Sequence, residues 1–151
     1  MKKDHLLEEY LRALRLSTIL REYPKMVQEA AKNDSGYVEF LLALVEQEAL
    51  TREANGIRRR IKQAGFPREK SLDEFDFSCL PNLNKARFLE LFRSTEYIMR
   101  KENVVLIGNN GTGKTHLAIC LGREACRQGK RVTFQSAASI VTSLIEAQEE
   151  K

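Results

Sequence analysis

The run Gly108-Asn109-Asn110-Gly111-Thr112-Gly113-Lys114-Thr115 constrains this chain more than any other feature. It meets the template G-x-x-x-x-G-K-[ST] at every fixed position. The flanking residues matter as much as the motif. Before it, Val104-Val105-Leu106-Ile107 is a continuous apolar run bounded by Asn103 and Gly108, which predicts a strand buried on both faces of a parallel sheet. After it, Leu117, Ala118, Leu121 and Ala125 keep a helical period, and Gly129 is placed to end that helix. A glycine-rich turn joining a buried strand to a helix is a phosphate cradle. Glycines let successive N–H groups turn inward, and the helix presents its positive end beneath them.

The chemistry follows from the residue types. Lys114 is expected to reach the β- and γ-phosphates with its ammonium, and the Thr115 hydroxyl to ligate Mg²⁺. The expected cofactors are therefore ATP and Mg²⁺. Gly108, Asn109, Asn110, Gly111, Thr112, Gly113, Lys114, Thr115 and the adjoining His116 are the nucleotide-binding candidates. His116 can contact a phosphate or a water there, or simply occupy the first helical turn. No catalytic residue is assigned. A P-loop ATPase also needs an acid to hold the magnesium-bound water and activate the attacking one, normally at the end of a further buried strand. The second strand expected here, Arg131-Val132-Thr133-Phe134, ends in Gln135-Ser136, and Glu146, Glu149 and Glu150 fall in a helical pattern. On this reading the chain is a truncated product, a fragment, or a piece that needs partners, and it binds ATP more securely than it hydrolyses it.

The remainder predicts helices. Leu7, Tyr10, Leu11 and Leu14 make one stripe, and Met26, Val27, Ala30 and Ala31 a second. Pro24 is expected to break the helix between them or to start the next. After the turn residues Asn33-Asp34-Ser35-Gly36, a longer helix carries Tyr37, Phe40, Leu41, Leu44 and Val45, ending near Ala64 ahead of Gly65-Phe66-Pro67. That face is expected to be core, with a docking face as the alternative. Leu72, Phe75, Phe77 and Leu80 are apolar anchors in an otherwise irregular stretch. Asn84 and Ser136 are expected helix caps. The expected fold is an α/β P-loop NTPase, a partial parallel sheet with flanking helices, preceded by a small all-α N-terminal domain. The expected layout is a helical domain over 1–65, a linker over 66–83 and an ATPase portion over 84–151.

Composition excludes little but usefully. With 42% hydrophobic and 30% charged residues the chain is globular rather than disordered. No apolar run approaches the roughly 20 residues of a membrane span, and the charged N-terminus does not read as a secretory signal, so a cytoplasmic location is expected. Cys79, Cys120 and Cys126 have neither metal-site nor disulfide spacing. Cys120 and Cys126 are expected to be small packing residues.

Beyond the generic motif, the chain resembles the IstB/DnaC-like branch of AAA+ ATPases. The likeness runs from Leu72 to Leu144. It rests on Phe75-Asp76-Phe77, Pro81, Gly108 through His116 with Leu117-Ala118, Gly129, and Val132 to Ser136 followed by Ala137-Ala138. Looser likeness lies in Leu14-Arg15-Leu16, the helix from Phe40 to Arg52, and Ala64-Gly65-Phe66-Pro67. The resemblance implies an accessory ATPase of DNA transactions, helping an insertion-sequence transposase or, alternatively, loading a replicative helicase. It implies homo-oligomers through ATP-dependent contacts, and DNA binding. A non-catalytic interaction module with a remnant ATPase portion is the competing class.

The net charge of +4 permits an anionic partner without requiring one. Arg52, Arg58, Arg59, Arg60, Lys62, Arg68 and Lys70 cluster near the end of the long helix. Of these, Arg58, Arg59, Arg60 and Lys62 are the candidate contacts to DNA phosphates, against the plainer reading of a solvated helix face.

Overall fold

In a computed structural model, residues 2–80 and 82–149 are described; Pro81 and Glu150 lie outside them. The chain divides into two compact units, Met1–Gly56 and Ile57–Lys151. The division falls inside a helix.

The first unit holds α1 (Lys2–Ala13), α2 (Ser17–Lys32) and the part of α3 (Tyr37–Gln63) up to Gly56. The break between α1 and α2 is at Leu14-Arg15-Leu16, not at Pro24. Arg15 takes φ +56°, the Leu16 N–H returns to the Leu11 carbonyl at 2.8 Å, and the Arg15 N–H to Arg12 at 3.0 Å. Pro24 lies inside α2 on an exposed position, where water can serve the carbonyl that its missing N–H leaves over.

What holds this unit is partly polar. Glu48, 5% exposed, accepts from the Thr18 N–H at 2.8 Å and the Ile19 N–H at 3.1 Å, so a side chain of α3 caps the start of α2. Arg52, one turn on, donates to Glu48 at 2.8 Å and to the Arg15 carbonyl at 2.5 Å. Burial alone would raise the Glu48 carboxyl. The bonds from Ile19, Arg52 and Thr18 outweigh it and hold the group below the usual carboxylate range. The apolar face expected to be core is only partly so. Leu44 is buried and Phe40 half-buried, whereas Tyr37, Leu41 and Val45 are exposed.

The second unit centres on α6 (Lys114–Arg127), which buries Leu117, Ile119, Cys120, Leu121, Ala125 and Cys126. Both cysteines are free packing residues, and burial pushes their thiols upward. Helix α4 (Lys85–Arg93) packs on α6, placing Phe88 against Leu117 and Leu121. Asn84 caps α4 through the Arg87 N–H at 3.0 Å. The short α5 (Glu96–Met99) follows. The apolar anchors Leu72, Phe75 and Phe77 pack around this core, as do Val104 and Leu106. At its far end α6 closes on Gly129, φ +84°. The Gly129 N–H reaches Cys126 at 3.2 Å and the Lys130 N–H reaches Ala125 at 2.9 Å, the paired closure that a left-handed residue makes possible. Ser136 caps α7 (Ala137–Glu149) through the Ser139 N–H at 3.1 Å.

The parallel sheet expected from the sequence is not seen among the described residues. Among the described residues no strand is formed, and the segments expected as parallel strands, Val104 to Ile107 and Arg131 to Phe134, run without ladder pairing. Nor is the first segment buried on both faces. Val104 and Leu106 meet the core, while Val105 and Ile107 are 74% and 91% exposed. The alternation is that of an extended chain with one face covered. A continuous apolar run reveals that a segment suits a strand, but ladder bonds require a neighbour's backbone. The Phe134 N–H bonds instead to the Ala64 carbonyl at 2.8 Å, just beyond α3.

Candidate nucleotide-binding site

The loop begins where the half-covered Val104–Ile107 segment ends and finishes at the first turn of α6. Gly111 and Gly113 take φ +80° and +79°. Gly113 is the residue before α6, and among the described residues no side chain caps the helix there. The first-turn N–H groups are thus left to an anion, with the helix dipole behind them. Gly113 is fixed by space as well as by dihedral, since a Cβ on it would lie 2.5 Å from the Phe75 ring.

The side chains converge on the same place. The Lys114 ammonium donates to the Gly108 carbonyl at 2.8 Å and to Asn109 at 2.6 Å, while the Thr112 hydroxyl donates to Asn109 at 2.8 Å. Lys114 is half-buried within the loop; Thr115 is exposed in the first turn of α6. A cavity of about 500 Å³ adjoins, lined by Gly108, Thr112 and Lys114 together with the apolar Leu83, Leu106 and Leu117. Mixed lining of this kind suits a ligand with a polyanionic end and a flat, weakly polar end.

His116 points elsewhere. Its Nε2 is 2.7 Å from the Ser71 carbonyl, which can only accept, so Nε2 carries the proton. Its ring meets Phe75 edge-on at 5.1 Å. Phe75 in turn packs on Phe77 at 4.9 Å. The histidine after the motif thus ties the irregular segment around Ser71–Phe77 to the start of α6.

The residues fit phosphate well. They offer magnesium one hydroxyl, that of Thr115, and among the described residues no group of three or more His, Cys, Asp or Glu side chains is gathered for a metal. One protein ligand suits Mg²⁺, which keeps several waters and takes the rest of its oxygens from nucleotide phosphates.

The family model for "IstB-like ATP binding protein" matches residues 9–151. The chain belongs to this IstB-like family. Three relatives named as insertion-sequence putative ATP-binding proteins illustrate it. That of IS21 in Pseudomonas aeruginosa is 36% identical, over 97% of this chain and 55% of its own length. That of IS5376 in Geobacillus stearothermophilus is 35% identical, over 95% and 57%. That of IS232 in Bacillus thuringiensis subsp. berliner is 33% identical, over 91% and 54%. The IstB-like chain therefore spans a little over half the length of the curated relatives it matches. Among its described residues no helix is long and apolar enough to cross a membrane.

The basic cluster does not stay together as one face. Arg52 is committed to Glu48 and Arg15. Arg60 donates to the Cys126 carbonyl at 2.8 Å and so serves the C-terminal end of α6. Arg58, Arg59 and Lys62 are exposed. The sequence had singled out neither Glu48 nor Arg123. The Glu48–Arg52 spacing was a legible signal for a helical pair, but its partners at Thr18 and Ile19 lie about thirty positions away.

Proposed function

We propose that this IstB-like chain binds Mg-ATP through Gly108–Thr115 as a helper of insertion-sequence transposition. The observation that carries it is the convergence at Gly113: a left-handed glycine opens α6 with no side-chain cap, and the Lys114 ammonium lies inside the loop. In this reading the first-turn N–H groups and Lys114 hold the β- and γ-phosphates, and Thr115 supplies the protein's ligand to Mg²⁺. Mg²⁺, when bound, would supply charge neutralisation of the phosphates. Leu83 and Leu106 would offer the base an apolar surface. The insertion-sequence names of the relatives favour transposition over helicase loading. Contact with DNA, a transposase partner, homo-oligomers, a cytoplasmic location, and a parallel AAA+ sheet in which residues 104–107 and 131–134 are strands all belong to this proposal.

The test is titration of Mg-ATP followed by calorimetry and thermal melting. The wild-type chain should bind and melt higher, and Lys114→Ala should weaken binding roughly tenfold to a hundredfold, the value of a charge-assisted contact. If Mg-ATP neither binds nor raises the melting temperature, the chain is an interaction module with a remnant ATPase portion.

A further inference from the structure

Away from the nucleotide loop, the last turns of α3, the turn that follows it and the outer part of α6 enclose a second cavity of about 550 Å³. Its lining includes four cations, Arg58, Lys62, Arg68 and Arg123, against one carboxylate, Glu69. That carboxylate does little to neutralise them. It is 94% exposed and approaches Arg123 Nη1 only to 3.8 Å, a distance and exposure at which an ion pair is worth little. Arg123 is different from its neighbours. Its side chain is 16% exposed, and its buried Nε has no hydrogen-bond partner among the described residues. A buried guanidinium donor left unmade carries a desolvation cost, so Arg123 is a cation held at the cavity by packing rather than by a paired acceptor at Nε. Arg60 makes the contrast, because its Nε is satisfied by the Cys126 carbonyl.

The scaffold is firm. Phe66 packs on Phe134 with ring centroids 6.0 Å apart, and it lies so close to α6 that a Cβ on Gly122 would be 2.9 Å from its ring. The bond from the Phe134 N–H to the Ala64 carbonyl holds the turn's entry. Arg68 is thus presented from a packed turn, and Arg58 and Lys62 sit one turn apart on α3.

We propose that this cavity is a second anion site, taking consecutive phosphodiester groups of DNA on Arg58, Lys62, Arg68 and Arg123. Several guanidinium and ammonium donors around an open cavity, against the single exposed carboxylate of Glu69, match a phosphate backbone rather than base edges. The site therefore contributes affinity without sequence preference. It rests on the DNA-helper reading above, and it moves the DNA contact off Arg60 and onto Arg68 and Arg123.

The experiment is fluorescence anisotropy of a labelled DNA duplex against the full chain over a series of salt concentrations. Lys62→Gln with Arg68→Gln, both exposed positions, should lower the slope of log affinity against log salt by about 2 and weaken binding tenfold or more near 0.1 M salt. Arg123→Gln should act in the same direction. If it melts the protein, the double variant still decides. Lys25→Gln with Lys32→Gln removes the same charge elsewhere, and Mg-ATP affinity should be unchanged in both double variants. Wild-type binding with an unaltered slope in the cavity variant, or an equal loss in the Lys25/Lys32 control, overturns the site while leaving the DNA reading standing. Failure of the wild-type chain to bind DNA at low salt overturns both.

Discussion

Glu48 shows how a single residue carries more than its letter suggests. From the sequence it is one acid of an i, i+4 pair with Arg52. In the structure it caps the first turn of α2 with two backbone bonds. Its folded pKa lies below the ordinary value, so its stabilisation is fully present above the unfolded carboxylate value of about 4.3 and is lost as pH falls through the lower folded value. Urea melts of wild type and Glu48→Gln should differ by about 1–3 kcal/mol at neutral pH, with the gap closing in acid. A gap that holds constant through that window would show that the charge is irrelevant. Arg60 teaches the same lesson with opposite sign. Arg58-Arg59-Arg60 reads as one basic run, yet only the tertiary fold reveals that Arg60 is occupied by a carbonyl at the end of α6.

Among the elements, α6 was the most legible. Its start, period and end all follow from local rules: a glycine that can take φ > 0 before it, apolar positions along it, and a left-handed glycine after it. Its burial on more than one face was not legible, because that depends on Leu72–Phe77 and α4 folding over it. Gly113→Ala combines the left-handed strain, about 1–2 kcal/mol, with a clash against Phe75. It should abolish the Mg-ATP-induced rise in melting temperature, and Phe75→Ala in the same chain should restore part of it. No recovery in the double variant would mean that the ring does not limit the loop. The Val104–Ile107 segment was legible as extended and apolar, but not as half-exposed, since coverage is supplied by neighbours rather than by the segment.

For the whole molecule the consequence is exposed apolar surface. On α7, Ile140, Val141, Leu144 and Ile145 are 45%, 55%, 65% and 52% exposed, and Val105 and Ile107 more so. Apolar stripes of this kind drive association when nothing covers them. Sedimentation velocity should show mass rising with concentration, and Ile140→Asp with Leu144→Asp should suppress it without unfolding α7, whose stripe carries no buried residue. A wild-type chain that stays monomeric at all concentrations would refute this.

The sequence by itself determined the glycine-rich turn into α6, the helix caps at Asn84 and Ser136, and the end of α6. Each depends on residues within a few positions of one another, and their dihedral and hydrogen-bonding needs are met locally. The tertiary structure alone decided which of the basic residues are free, where Pro24 sits, that His116 holds Ser71, and that Glu48 caps α2. Those outcomes depend on partners far along the chain. Bonds such as Arg60 to Cys126 leave no trace in the spacing of either residue.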